Sequence, residues 1–105
     1  MGDNYNIMTE TLWFDWSPEK NDINIKKHGI SFHEAASVFD DEMAIVFDDP
    51  DHSDEEERFG ILGMTYTQTI CVVIHCTRGE DEMIRIISAR KATKKEADTY
   101  FNRKW

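Results

Sequence analysis

The chain has 105 residues, of which 40% are apolar and 11% aromatic, and it carries a formal net charge of −9. This size and composition fit one domain, residues 1–105, and exclude a disordered protein. No apolar run approaches the roughly 20 residues that cross a bilayer. The amino terminus also lacks the basic and apolar regions of a secretory signal, so we expect a cytoplasmic protein without membrane contact.

The first predicted elements are a short strand and a helix. We expect residues 1–11 to be a flexible extension, whereas residues 12–16 are an aromatic strand candidate. Ser17, which precedes a proline, has the side chain of an N-cap, and Gly29 suits the left-handed position after a helix. These signals predict a helix over residues 18–28, with positive charge in its last turn complementing the helix dipole.

A second helix, a run of strands and a last helix follow. Ser31 and Glu34 form a capping box that opens a helix through about residue 39. Thr93 and Glu96 form another capping box, which opens the carboxyl-terminal helix. Between them lie strand candidates at residues 43–47, 58–65, 69–77 and 83–89. The connections favour hairpins, so the order β-α-α-β-β-β-β-α predicts an α+β fold with a small antiparallel sheet and helices packed on one face.

Charge is unevenly distributed along the chain. Residues 1–57 contain 16 acids and 3 bases, whereas residues 58–105 contain 9 bases and 5 acids. This division suggests a polyanion site in the basic part. The planar fork of arginine matches phosphate oxygens, and the candidates for that contact are Arg58, Arg78, Arg85 and Arg90. The alternative is that these arginines form surface ion pairs with the ten acids of residues 40–57.

Two arrangements bear on how these charges would meet. Arg85 and Arg90 are five positions apart, so in a straight strand they point to opposite faces, and either a bulge intervenes or only one faces the site. On the first helix, one face carries Lys20, Asn24, Lys27 and His28. Imidazole exchanges protons near neutral pH, which makes His28 a candidate proton donor or acceptor; the alternative is a solvated helix face.

The acidic run and the aromatic residues give three further candidates. Glu57 abuts Arg58 at a strand start and is the best candidate for a general base. The rest of the run lacks the glycine and the ligand spacing of a calcium loop, so we expect no metal site. Trp16, beside the first helix, is a candidate for stacking against an RNA base, with core packing as the alternative.

The sequence resembles the BrnT toxin family from about residue 13 to residue 101. The resemblance rests on an ordered series of motifs: FDWSPEKN at 14–21, NIKKHGI at 24–30, FHEAASVFD at 32–40, EERF at 56–59 and RIISARKA at 85–92. Members are ribonuclease toxins of type II toxin–antitoxin systems. The resemblance implies a RelE-like fold and a metal-independent endoribonuclease that needs no cofactor, in which the substrate's own 2′-hydroxyl attacks the adjacent phosphate.

The resemblance also implies site residues and a partner. The matching positions give the catalytic candidates Lys27, His28, Glu57, Arg58, Arg85 and Arg90. The three arginines would bind phosphate, Glu57 or His28 would transfer protons, and Lys27 would stabilise charge. From the residue pattern we add the RNA-binding candidates Lys20, Arg78, Lys91 and Trp16. The expected partner is a BrnA-type antitoxin, which would form a hetero-oligomer with this chain, bind DNA itself and repress the shared operon.

The alternative hypothesis is a non-catalytic binding module on the same scaffold. Its acidic loops would dock a basic partner, and its arginines would be ion-paired. The two hypotheses differ in whether the cations converge on one open groove or pair with the acids of residues 40–57.

Overall fold

The computed structural model of the protein describes residues 5–9, 12–49, 57–78 and 83–102, the first of these by its backbone only. The strands are β1 (Tyr5–Thr9), β2 (Leu12–Trp16), β3 (Ile45–Asp48), β4 (Phe59–Met64), β5 (Ile70–Arg78) and β6 (Met83–Lys91). The helices are α1 (Pro18–His28), α2 (Phe32–Ala36) and α3 (Lys94–Asn102), and a 3-10 turn, Ser37–Asp40, follows α2. None of the described helices is long and apolar enough to cross a membrane.

Helix α1 begins and ends where its capping residues predict. The hydroxyl of Ser17 accepts a hydrogen bond from the backbone N–H of Lys20 (3.3 Å), and proline occupies the first turn. Gly29 adopts φ 75°, and its N–H donates to the carbonyl of Ile25 at 2.8 Å. Only glycine takes this left-handed conformation without steric cost, so the helix ends there. The predicted bounds of this helix are confirmed.

The sheet has the strand order β1-β2-β6-β5-β4-β3. The run from β3 to β6 is an antiparallel meander, as predicted. Strand β2, however, pairs in parallel with β6, with Phe14 opposite Ile84, so the sheet is mixed rather than antiparallel. Strand β1 pairs with β2, which corrects the expectation of a flexible extension over residues 5–9. The α+β class is confirmed, and the RelE-like likeness stays a prediction.

The two faces of the sheet are covered differently. Helices α1 and α2 cover one face, here called the helical face, whose core includes Phe14, Phe32 and Val73. Helix α3 lies on the opposite face, here called the open face, where Tyr100 packs against Leu62 and Val72. The prediction that all helices pack on one face is therefore wrong, because the last helix crosses to the side that the first two leave uncovered.

An irregularity in β6 decides where its arginines point. The β5–β6 ladder pairs Ile74 with Ser88 but His75 with Ile86, so Ile87 is an additional residue in β6. Such a bulge reverses the alternation of side chains along a strand. Arg90 lies opposite Val72, and Arg85 lies opposite Cys76. Both arginines therefore belong to the open face, despite the odd number of positions between them.

Candidate functional site

A cavity of about 400 Å³ lies on the open face, between α3 and the strands β3 to β6. Its floor is apolar and consists of Val72, Ile74 and Ile87, beside the hydroxyl of Ser88. The charged lining residues are Asp49, Arg58, Arg90 and Glu96, and Phe47 completes the wall. An apolar pocket with a few convergent polar groups is the usual form of a small-molecule or nucleotide subsite.

Arg90 and Glu96 form a forked ion pair at one side of the cavity. Nη1 of Arg90 lies 2.8 Å from Oε1 of Glu96, and Nη2 lies 2.9 Å from Oε2. Oε1 also accepts the N–H of Thr93, so the carboxylate caps α3 and holds the guanidinium at once. Hydrogen bonding from Arg90 lowers the pKa of Glu96 to about 2, and the same pairing raises the pKa of Arg90.

The fork is accessible to solvent, which matters for its strength. The side chains of Arg90 and Glu96 are 44% and 30% exposed. Ion pairs of this exposure contribute little net stability, because water solvates both partners when they separate. A phosphate can therefore compete with Glu96 for the fork of Arg90, since phosphate oxygens offer the same bidentate geometry.

Arg58 and Asp49 line the cavity where β3 and β4 meet. The N–H of Asp49 donates to the carbonyl of Arg58 at 3.1 Å, which continues the β3–β4 pairing by one step. Asp49 is 8% exposed and Arg58 is half-buried. Two guanidinium groups, Arg58 and Arg90, thus line the same cavity, an arrangement that can bind a phosphodiester and stabilise charge developing on it.

Arg85 shares the open face but does not line the cavity. Its Nη1 lies 3.3 Å from Oδ2 of Asp15, and the two side chains are only 18% and 12% exposed. Register explains the pairing, because Asp15 lies directly opposite Arg85 in the β2–β6 ladder. The charge of Arg85 is therefore compensated within the sheet by a carboxylate outside residues 40–57.

Helix α1 carries four residues that the sequence predicts to share a phosphate-facing stripe, and the structure corrects the prediction for one of them, Asn24. Asn24 is buried, and its side-chain amide bonds the N–H (3.1 Å) and the carbonyl (2.8 Å) of Ala89. Its expected place on a phosphate-facing stripe is therefore wrong. Lys20 and Lys27 are exposed, and His28 is half-buried in the last turn. These three described side chains lie outside the cavity lining, on a helix that follows the edge of β6 beside Arg90.

The remaining predicted residues are dispersed. Glu57 is exposed just before Arg58, and Lys91 is exposed at the end of β6. Arg78 ends β5, and its side chain lies outside the described residues. Trp16 is 3% exposed and packs edge-to-face on Phe32, with 6.2 Å between ring centroids. The prediction that Trp16 stacks on an RNA base is wrong, because α2 already covers its ring.

The acidic run contributes a structural residue to this side of the molecule. Asp41 accepts hydrogen bonds from the N–H groups of Met43 and Met64, both at 2.9 Å, and from the hydroxyl of Tyr100 at 2.6 Å. It thereby fastens α3 to the sheet. Residues 50–56 of the run lie outside the described residues. Among the residues that the structure does describe, no three His, Cys, Asp or Glu side chains could hold a metal ion.

Sequence reasoning missed Phe47, Asp49 and Glu96 as cavity residues. The pattern identified Glu96 only as a capping residue and Phe47 only as the end of a strand. The sequence does contain a signal for Glu96, which lies six positions after Arg90 with the N-cap Thr93 between them. A helix that begins so soon after the strand brings its first turn back to the face on which Arg90 lies. The role of Phe47 depends on pairing across the sheet, which the local sequence does not reveal.

Comparison with known proteins places the chain among toxins. The sequence profile of a family described as "Ribonuclease toxin, BrnT, of type II toxin-antitoxin system" matches residues 16–96, a stretch that includes every cavity residue. The crystal structure of the Brucella abortus ribonuclease toxin BrnT superimposes with a TM-score of 0.57 and 30% sequence identity, covering 75% of this chain and 94% of that one. Among curated proteins, none gives a significant match.

Proposed function

Because the chain belongs to the BrnT family of ribonuclease toxins of type II toxin–antitoxin systems, we propose that it is itself an active, metal-independent endoribonuclease. One observation carries this proposal. Arg58 and Arg90, both within the matched region, line a single cavity of the open face together with the carboxylates of Asp49 and Glu96.

The reaction is an internal transesterification of RNA. The 2′-oxygen forms a bond to the adjacent phosphorus while the bond from phosphorus to the 5′-oxygen breaks, which leaves a 2′,3′-cyclic phosphate and a 5′-hydroxyl. The 2′-hydroxyl proton passes to a base, and the departing 5′-oxygen receives a proton from an acid. Since the substrate supplies the nucleophile, the protein has to supply orientation, cations and proton transfer.

Arg58 and Arg90 hold the scissile phosphate in this scheme. Guanidinium groups on two sides of the cavity stabilise the extra negative charge of the pentacoordinate phosphorus, and the partly enclosed site strengthens that attraction. Arg85 remains bound to Asp15 outside the cavity lining and, with its charge compensated, does not hold the phosphate. Lys27 stabilises charge from the last turn of α1, and RNA flanking the cavity contacts Lys20, Lys91 and Arg78.

Of the two carboxylates in the cavity lining, Asp49 and Glu96, we assign proton acceptance to Glu96. The guanidinium of Arg90 holds its pKa down at about 2, which makes the resting carboxylate a weak base. A phosphate that takes over the fork of Arg90 removes the main cause of that shift, and the pKa of Glu96 then rises toward its ordinary value. Substrate binding thus strengthens the base. Glu57 and His28, the acceptors suggested by the family motifs, lie outside the cavity lining. Variants of both residues are therefore compared with a variant of Glu96 in the experiment below.

The family implies an antitoxin as partner and RNA as substrate. We propose that the antitoxin is of the BrnA type, forms a hetero-oligomer with this chain and alone contacts DNA. A net charge of −9 weakens non-specific attraction to RNA, so the cavity that Arg58 and Arg90 line is the place at which substrate and antitoxin are expected to compete.

A second candidate function has one observation in its favour. Arg85 and Arg90 are each paired with a carboxylate, Asp15 and Glu96 respectively. A binding module without catalytic activity would keep these pairs closed and would dock a basic partner through its acidic residues.

RNA cleavage by the purified, antitoxin-free chain in EDTA separates the two functions. We expect cleavage to products with cyclic phosphate ends, a loss of at least about 100-fold in Arg58→Ala and Arg90→Ala, and no change in Lys94→Ala, which removes an exposed charge on α3. Among Glu96→Gln, Glu57→Gln and His28→Ala, the proton acceptor gives the largest loss and the flattest rate–pH profile. No cleavage by the parent chain, or equal cleavage by all arginine variants, would contradict the enzyme.

A further inference from the structure

We propose that Phe47 is the platform on which a nucleobase of the bound RNA stacks, so that the cavity holds a base beside the phosphate. This inference rests on the proposed function and adds a residue that neither the motifs nor the family description assigns. The ring of Phe47 forms part of the cavity wall. It is 37% exposed, which leaves ring surface available to a ligand.

The backbone of β4 fixes the ring in this position. Phe47 lies opposite Gly60 in the β3–β4 ladder. A methyl group on residue 60 would overlap Cζ of Phe47, so the ring occupies its place beside β4 only because residue 60 has no side chain. Glycine inside a strand weakens the strand and commonly marks a close approach. Here the close approach holds the phenyl ring against β4 at the wall of the cavity.

The surroundings of the ring match the two parts of a nucleotide. Val72, Ile74 and Ile87 give the cavity an apolar floor, which suits the faces of a base. Arg58 and Arg90 line the same cavity, which suits the phosphate attached to that nucleotide. An apolar protein segment would fill the floor but could not exchange with Glu96 for the fork of Arg90, whereas the phosphate of a nucleotide can. An RNA nucleotide is therefore the occupant that matches the whole lining.

This arrangement replaces the stacking residue expected from the sequence. The ring of Trp16 is buried on the helical face, whereas Phe47 presents its ring on the open face beside the arginines. Stacking on an aromatic side chain tolerates any base, because every base has a π-face. The proposed subsite therefore orients the nucleotide and does not by itself select a sequence.

The test measures binding of a fluorescent RNA oligonucleotide whose 2′-hydroxyls are all methylated, so that cleavage cannot occur. We expect Phe47→Ala to raise Kd about tenfold and Phe47→Trp to restore it. The matched control is Val46→Ala, which shortens the adjacent side chain of β3 on the other face of the sheet, and it should leave Kd unchanged. Gly60→Ala displaces the ring while keeping Phe47 and should reproduce the loss.

Probes with one abasic position at a time decide whether the ring acts on a base. For the parent chain, one of the abasic probes should bind about tenfold more weakly than the intact probe. For Phe47→Ala, the same abasic probe and the intact probe should bind equally well. Equal losses for every probe in both proteins, or an unchanged Kd in Phe47→Ala, would overturn the inference. Arg58→Ala and Arg90→Ala are measured alongside: if they weaken binding and Phe47→Ala does not, only the stacking platform fails, and if they too are neutral, the proposed RNA site fails.

Discussion

The two faces of the sheet differ in what covers them and in how their polar groups are satisfied. On the helical face, α1 and α2 enclose a continuous apolar core, and the buried amide of Asn24 is bonded to backbone groups of Ala89 and Ile30. On the open face, a small cluster under Tyr100 adjoins a solvent-accessible cavity lined by ion-paired side chains. One face supplies stability through burial, and the other keeps charges in pairs that a ligand can exchange.

The sharpest test of this division compares a core residue with a cavity residue. Phe32 is fully buried between α2 and the sheet, so Phe32→Ala should lower the free energy of unfolding by about 4 kcal/mol through lost burial and the cavity left behind. Arg90→Ala should cost less than about 1 kcal/mol, because its ion pair is exposed. Urea denaturation followed by circular dichroism gives both values. Equal losses would show that the open face carries as much stability as the core.

A second test concerns the hydrogen bonds by which α1 covers the edge of β6. Asn24→Leu keeps the branched shape of the side chain but leaves the N–H and carbonyl of Ala89 without that partner, for a loss of about 3 kcal/mol. Lys26→Leu, on an exposed position of the same helix, is the matched control and should change stability by less than about 0.5 kcal/mol. Hydrogen exchange of the Ala89 amide should accelerate only in the first variant; unchanged exchange would refute the role of Asn24.

The third test uses the ion pair between Arg85 and Asp15 on the open face, which is largely buried. Arg85→Gln removes the compensating charge from Asp15 and should cost about 2 kcal/mol. Adding Asp15→Asn should recover part of that loss, because no buried charge then remains alone. Breaking the exposed Lys94–Asp98 pair with Lys94→Gln is the control and should be close to neutral. A double variant that is less stable than Arg85→Gln would argue against charge compensation.

The elements that depend on local chemistry were predictable from the sequence. Ser17 and Gly29 set both ends of α1 because a cap and a left-handed residue act within one turn. The parallel pairing of β2 with β6 joins residues 14 and 84, and no local pattern encodes a contact over that distance. The same applies to the placement of α3 on the open face, since an apolar stripe shows that a helix packs but not against which surface.

The candidate site was predictable in its charges and not in its geometry. The chemistry of the guanidinium group identifies Arg58 and Arg90 as candidates, and both line one cavity. The bulge at Ile87 that brings Arg85 to the same face appears only in the ladder register, so the sequence left two alternatives open. The prediction for Trp16 is wrong because the local sequence of an aromatic residue beside a helix does not show whether a second helix covers its ring.

The smallest expected effects are two separate pH dependences, one for each face. Burial lowers the pKa of His75 below its ordinary value of 6.5, so its neutral form is favoured by folding, and stability present above pH 6.5 is lost as the pH falls below that value. Arg90 lowers the pKa of Glu96 from 4.5 to about 2, so the stability from this carboxylate is present above pH 4.5 and is lost between pH 4.5 and about 2.

Urea denaturation across this pH range should resolve the two contributions. Glu96→Gln preserves the capping geometry and should abolish only the loss of stability that protonation of Glu96 causes below pH 4.5. That loss should be less than about 1 kcal/mol, because the fork is exposed. His75→Gln should remove only the slope just below pH 6.5, whatever its effect on stability at neutral pH. If Glu96→Gln changed the slope near pH 6.5, the two faces would be energetically coupled through the sheet, and a ligand that exchanges with Glu96 would then also alter the core beneath it.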